Sequence, residues 1–140
     1  MIDDELIESK IDLIFKNLDY LNEISKIDET EFLSSFEKIQ ASKHSLQEAI
    51  ESSLDIANHI ISSQGWERAE TYSDMFERLY EEEVLEKDLN KRLADMARFR
   101  NLLVHRYGKI DDRRLFRILN ENIDDLHEFV EDIQIYLQQS

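Results

Sequence analysis

The chain has 140 residues, a formal net charge of -15, no proline, no cysteine and two glycines. That length fits one helical domain over 1–140, large enough to bury roughly two thirds of the surface its unfolded form exposes and too short for a second catalytic domain. Lack of cysteine excludes disulfides and thiolate chemistry, and no apolar run approaches the ~20 residues of a membrane span, so no membrane partner and a cytoplasmic location are expected.

With proline absent and Ala, Leu, Glu, Lys and Gln frequent, helix is nearly the only regular structure on offer. An all-α, up-and-down helical bundle of four main helices plus a short one is predicted. The first helix, about 3–24, sets Leu6, Ile7, Ile11, Ile14, Leu18 and Leu21 on one face. After a break near Asp28, Glu29 and Thr30, where Thr30 can cap, a long helix over about 31–63 carries Phe32, Phe36, Ile39, Leu46, Ala49, Ile50, Leu54, Ala57 and Ile61. A bend is expected at Ala41-Ser42-Lys43, and Gly65 ends the helix by accepting the left-handed conformation. A short helix over about 73–81 starts at Ser73. A further helix over about 84–107 is stopped by Gly108, and a last one covers about 112–137 with Asp111 or Asp112 at its start.

The acidic balance argues against a polyanionic ligand, because phosphate binding needs an electropositive surface. The distribution reverses that inference. Residues 91–117 hold nine basic residues against three acids, a local +6, while the rest of the chain carries -21. Such a molecule repels polyanions except around one segment. Local balancing of acidic neighbours by these bases is the competing reading.

Within that segment lies Arg100-Asn101-Leu102-Leu103-Val104-His105-Arg106-Tyr107, which places a guanidinium, an imidazole and a phenol near a helix end. Leu89, Leu93, Met96, Arg100, Leu103 and Tyr107 form one helical stripe, so Arg100 needs an acid or an anion as partner. Asp55, Glu48 and Glu51 on the long helix are candidates, and an Arg–Asp bridge that only pins two helices is the structural alternative. His105 lies about 140° round an ideal helix from Arg100, whereas Asn101 and His105 share a face. Convergence of Arg100 and His105 requires either unwinding of the last turn or a second copy of the chain. A histidine at a helix C-terminus can also be a plain dipole contact.

The Arg-x4-His-x-Tyr pattern, with Asn after the Arg and Gly108 beyond it, resembles the signature of the HEPN ribonuclease superfamily. More narrowly it is similar to the HepT-like toxins encoded beside a minimal nucleotidyltransferase antitoxin. Leu46-Gln47-Glu48-Ala49-Ile50-Glu51 with Leu54-Asp55-Ile56-Ala57-Asn58-His59-Ile60-Ile61 resembles the second block of that branch, and Tyr72-Ser73-Asp74-Met75-Phe76 its short middle helix. The likeness runs from about residue 5 to residue 137.

The resemblance implies a homodimer in which two motif helices meet and two Arg–His sets line one cleft. It implies a metal-independent endoribonuclease, needing no cofactor, with RNA as substrate and tRNA the foremost candidate. His105 would transfer protons during attack of a ribose 2′-OH, imidazole titrating near neutrality. Arg100 would stabilise the phosphorane, and Asn101 and Asp55 would support them. Arg98, Arg106 and Lys109 would bind RNA. Tyr107 would accept an adenylyl group from the nucleotidyltransferase and so silence the enzyme. The main alternative is a non-catalytic, nucleotide-binding subunit of a nucleotidyltransferase complex. A helical assembly module without ligand is a third.

His44, His59 and His127 are dispersed, and no set has metal-ligand spacing, so no metal site is assigned. Asp55 and His59 are expected to form a local pair, Trp66 to pack a corner, and Glu81-Glu82-Glu83 to be a solvated helix end.

Overall fold

A computed structural model describes residues 1–139. The elements in chain order are α1 (Asp4–Ser25), α2 (Glu29–Leu33), α3 (Phe36–Ser63), α4 (Tyr72–Glu81), α5 (Lys87–His105), a 3-10 turn (Tyr107–Lys109), α6 (Asp112–Glu121) and α7 (Asp124–Gln139). The fold is all-α, and no strand occurs among the described residues. Helix α1 packs along α3; α4 and α5 pack together and against α3; α6 covers α1 and α2; α7 closes against α5, α3 and α1.

One apolar stripe from each main helix fills the interior. Ile7, Ile11, Ile14, Leu18 and Leu21 come from α1, while Leu46, Ala49, Ile50, Ala57 and Ile60 come from α3. Leu89, Leu93, Met96 and Leu103 of α5 meet Leu126, Phe129, Val130 and Ile133 of α7 in the same core. Ring pairs stitch the layers, Phe32 with Phe116 at 4.9 Å and Phe76 edge-on to Phe129 at 5.8 Å. Trp66 packs against Tyr136 at the end of α3, as expected of a corner residue.

The long second helix of the sequence reading is two helices. The chain leaves helical geometry at Ser34 and Ser35, and the Ser35 hydroxyl accepts the Lys38 N–H to start α3. The helix continues without interruption through 41–43 to Ser63. The break resets the helical phase, so Phe32 is buried but Phe36, expected in the core, is exposed. Leu6 likewise sits at the edge of the α1 stripe, 37% exposed, with Ile7 taking the interior position. Thr30 lies inside α2 rather than capping it. The α4 cap is Thr71, whose hydroxyl accepts the Asp74 N–H, and Ser73 follows inside the first turn.

Gly65 ends α3 as predicted. At φ +71° it lets Trp66 N–H reach the Ile61 carbonyl and its own N–H reach that of Ser62, the two bonds of a Schellman stop. Helix α4 ends the same way with Glu83 at φ +64°, and Val84 N–H donates to the Leu79 carbonyl at 2.8 Å. That turn uses residues 82–85, so α5 starts at Lys87 rather than at 84. The last helix is also divided: Asn122 leaves helical geometry, Ile123 turns into the core, and α6 and α7 then meet different neighbours. Asp111 caps α6 by accepting the Arg113 N–H.

Candidate active site at the end of helix α5

Helix α5 is positioned from both ends. Near its start, Arg92 binds Asp125 and, at 2.8 Å, Glu128, both on α7. Burial pushes the Asp125 carboxyl up despite Arg92, while Glu128 holds the Arg92 guanidinium charged. Near the other end Leu103 enters the core and Arg106 closes the helix through its N–H to the Leu102 carbonyl at 2.8 Å.

Arg100 occupies the stripe position between Met96 and Leu103, and its side chain is only 16% exposed. Its Nε lies 3.4 Å from Glu51 Oε1 of α3, and its guanidinium carbon is 4.8 Å above the Tyr72 ring of α4. Nη1 reaches Asn101 Oδ1 at 3.4 Å. The Glu51 contact is an ion pair without hydrogen-bond geometry, so the buried Nε has no hydrogen-bond partner among the described residues. The group is therefore held flat and neutralised while keeping donor capacity for an anion.

Of the three acids considered as partners, only Glu51 pairs with Arg100. Asp55, assigned a supporting role, instead binds Lys10 of α1 at 2.9 Å, and Glu48 accepts from Asn17 and lies 3.6 Å from His44. The reason is rotational: Glu48 and Asp55, seven residues apart, lie within about 20° of each other on the side of α3 that meets Asn17 and Lys10 of α1, whereas Glu51 is turned about 40–60° from them and meets α5. Asp55 nonetheless lines, with Asn101, Asn58 and Tyr72, a cavity of about 560 Å³. The expected Asp55–His59 pair is absent, since His59 Nε2 accepts the Asp3 N–H at 2.9 Å and contacts Ser63.

His105 is the last residue of α5 and is exposed, as are Asn101, Arg98, Arg106 and Lys109. Because α5 is helical through His105, unwinding does not swing the imidazole towards Arg100. The five-residue separation keeps them about 140° apart on one helix. Arg98 pairs with Asp95 at 2.6 Å on the same helix.

Tyr107 lies outside α5, in the 3-10 turn, and so does not finish the core stripe. Gly108 needs no positive φ there; the helix has already ended at Arg106. What holds the turn is Lys43 of α3. Its buried ammonium donates to the Tyr107 carbonyl at 3.2 Å, lies 4.7 Å above the Tyr107 ring centroid, and is 3.7 Å from Asp112. Sequence reasoning placed Lys43 only in a supposed bend. The available signal was its spacing, since Ile39, Lys43, Leu46 and Ile50 step by four, three and four, which puts a cation on an apolar stripe. Tyr72 as the platform for Arg100 had no such signal, because it depends on how α4 docks.

Comparison with known proteins places this geometry. A tRNA nuclease HepT of Aphanizomenon flos-aquae (strain 2012/KM1/D3) is 30% identical over 136 residues, covering 97% of this chain and 92% of its own. An mRNA nuclease HepT of Shewanella oneidensis is 27% identical over 89 residues, covering 64% of this chain and 67% of its own. The solved structure of the tri-AMPylated Shewanella oneidensis HEPN toxin in complex with its MNT antitoxin superposes with a TM-score of 0.86 at 24% identity, covering 96% of this chain and 99% of that one. The profile of the Ribonuclease HepT-like family matches residues 14–133, which take in both ends of the bundle and every residue around Arg100, and the chain belongs to that family.

Proposed function

We propose that the chain is a metal-independent endoribonuclease toxin that works as a homodimer on RNA, with tRNA the preferred class. The observation that carries this reading is Arg100. Its flat, half-buried guanidinium, with an unsatisfied Nε, shares a helix with the exposed imidazole of His105. Two such helices meeting in one cleft would bring the Arg100 of one protomer towards the His105 of its partner, which removes the 140° problem. His105 would accept the ribose 2′-OH proton or supply one to the leaving oxygen, and Arg100 would stabilise the added charge on phosphorus. Asn101 would orient His105 or a phosphate oxygen. Asp55 would act from the cavity wall, and Arg98, Arg106 and Lys109 would hold the flanking strand. The 2′ oxygen forms the new bond to phosphorus as the 5′ oxygen leaves, giving a 2′,3′-cyclic phosphate and a 5′-hydroxyl. DNA, lacking the nucleophile, would resist.

The 30% identity to a protein named as a tRNA nuclease, over nearly the whole of both chains, supports the substrate class. The likeness to a toxin found with an MNT antitoxin supports a minimal nucleotidyltransferase as partner. Tyr107 is the proposed acceptor of its adenylyl group. A nucleotide two residues from His105 would place bulk and negative charge in the phosphate site. The test is incubation of unmodified protein with total RNA in excess EDTA, beside His105→Ala. Fragments ending in cyclic phosphate, absent with the variant, are expected; equal survival of RNA with both proteins would overturn the reading.

A further inference from the structure

Beyond the α5 terminus, a groove among the described residues is rich in cations. It lies between α5 and α6, has a volume of about 420 Å³, and is lined by four arginines, Arg92, Arg98, Arg114 and Arg117, against two acids, Asp95 and Glu121, with Phe99 beneath Arg114. Arg92 is occupied by Asp125 and Glu128, and Arg98 by Asp95. Arg114 and Arg117 have no acid partner among the described residues. They stand three apart on α6, hence on one face, and Arg114 is laid on the Phe99 ring with its guanidinium carbon 5.2 Å from the centroid. In a chain carrying -15, they set two exposed guanidiniums side by side in one groove.

The groove also has a direction. Arg98 and His105 are seven residues apart on α5, so they lie about 20° apart round the helix and about 10.5 Å apart along it. Arg98 forms the groove's edge, and following that edge along α5 leads to His105. Arg100 faces the opposite side, towards Glu51 and Tyr72.

We infer that the α5–α6 groove binds the sugar-phosphate backbone of single-stranded RNA to one side of the cleaved bond, with Arg114 and Arg117 as the phosphate contacts. This deepens the ribonuclease reading and rests on it for the identity of the strand. Arg114, pre-set on the Phe99 ring, presents its fork without reordering, and Arg117 beside it on the same helix face suits the next phosphate. Arg98 exchanges Asp95 for phosphate when the strand enters. The acidic remainder of the surface keeps the rest of the polymer away, so the strand is confined to this track.

The experiment measures binding of a short oligouridine to His105→Ala protein, which leaves the strand intact, at several salt concentrations. Arg114→Gln with Arg117→Gln is compared with a control of equal charge change, Lys16→Gln on α1 with Lys26→Gln at its C-cap. Two lost phosphate contacts reduce the slope of log affinity against log salt by about 1.4 and weaken binding about tenfold near 0.1 M salt. In the cleaving protein the same pair raises KM with kcat kept. The control moves neither. An unchanged slope in the α6 variant, or no oligouridine binding at all, overturns the groove. So does a fall in affinity that follows loss of the dimer in sedimentation, which makes the groove a contact between copies. The two readings separate cleanly: cleavage with an unchanged slope removes the groove and keeps the nuclease, whereas an Arg114/Arg117-dependent slope without cleavage does the reverse.

Discussion

Replacing Lys43 with Met tests whether the Tyr107 turn is held by charge or only by packing. The thioether keeps the stem filled among Ile39, Leu46 and their neighbours but removes the ammonium. A charge-assisted hydrogen bond such as that to the Tyr107 carbonyl is worth roughly 1.5–3 kcal/mol, and a partly desolvated cation over a ring adds about 1 kcal/mol. The Asp112 contact adds little, because at 3.7 Å with Asp112 40% exposed it is screened. Relief from burying the ammonium offsets part of the total, leaving an expected loss of about 2 kcal/mol. For a chain of this size that lowers Tm by about 7 °C. Urea denaturation followed by circular dichroism reads it, with Lys16→Met as an exposed comparison. Tyr107→Leu removes the ring but keeps the carbonyl, so the double-mutant cycle isolates the ring contact at about 1 kcal/mol. A cycle within about 0.3 kcal/mol of zero, together with a Lys43→Met loss no larger than that of Lys16→Met, would refute the clamp.

Three further outcomes are expected. Glu83→Gly should stabilise the fold by about 1 kcal/mol, because Glu83 holds a left-handed C′ position that glycine takes without strain; a destabilised variant in the same urea titration would contradict this. Burial pushes the Asp132 carboxyl up, and Glu86, Glu128 and Glu131 push the same way against a hydrogen bond from the Glu86 backbone. Its contribution is therefore full below the ordinary aspartate range and is lost as pH rises through the raised folded value. Asp132→Asn should stabilise at neutral pH and flatten stability across that window, and a parallel pH–stability curve would count against it. Glu51→Gln should lower RNA cleavage about tenfold, roughly 1.4 kcal/mol of barrier, by loosening Arg100; single-turnover rates at wild-type level would show that Tyr72 alone positions the guanidinium.

Where periodicity alone decides, the sequence was legible. The α1 stripe, the Gly65 stop, the Asp111 cap and the place of His105 near a helix end follow from spacing and local chemistry. Breaks made without glycine or proline were not. Ser34–Ser35 and Asn122 interrupt helices in segments whose apolar spacing continues across them, and only the docking of α2 on α6 and of α7 on α5 favours the break. The same limit governs the site. The need of Arg100 for a partner was visible, but which of Glu48, Glu51 and Asp55 supplies it depends on the angle at which α5 crosses α3. Lys43 was overlooked because it was weighed as part of a serine-rich bend rather than as a charged residue in an apolar series.

Some of the anchors at the two ends of α5 lie later in the chain than α5 itself. Asp125 and Glu128, which grip Arg92, and Asp112, which meets Lys43, are all translated after His105. At usual elongation rates of about 5–20 residues per second, the 23 residues from Arg106 to Glu128 occupy roughly 1–5 s of synthesis. For that interval a nascent chain carries the whole motif without the α7 grip that orients it. The α7 grip on α5 is thus deferred until Glu128 has been made, and a message cut within the α6 codons yields a polypeptide with every motif residue and without that grip.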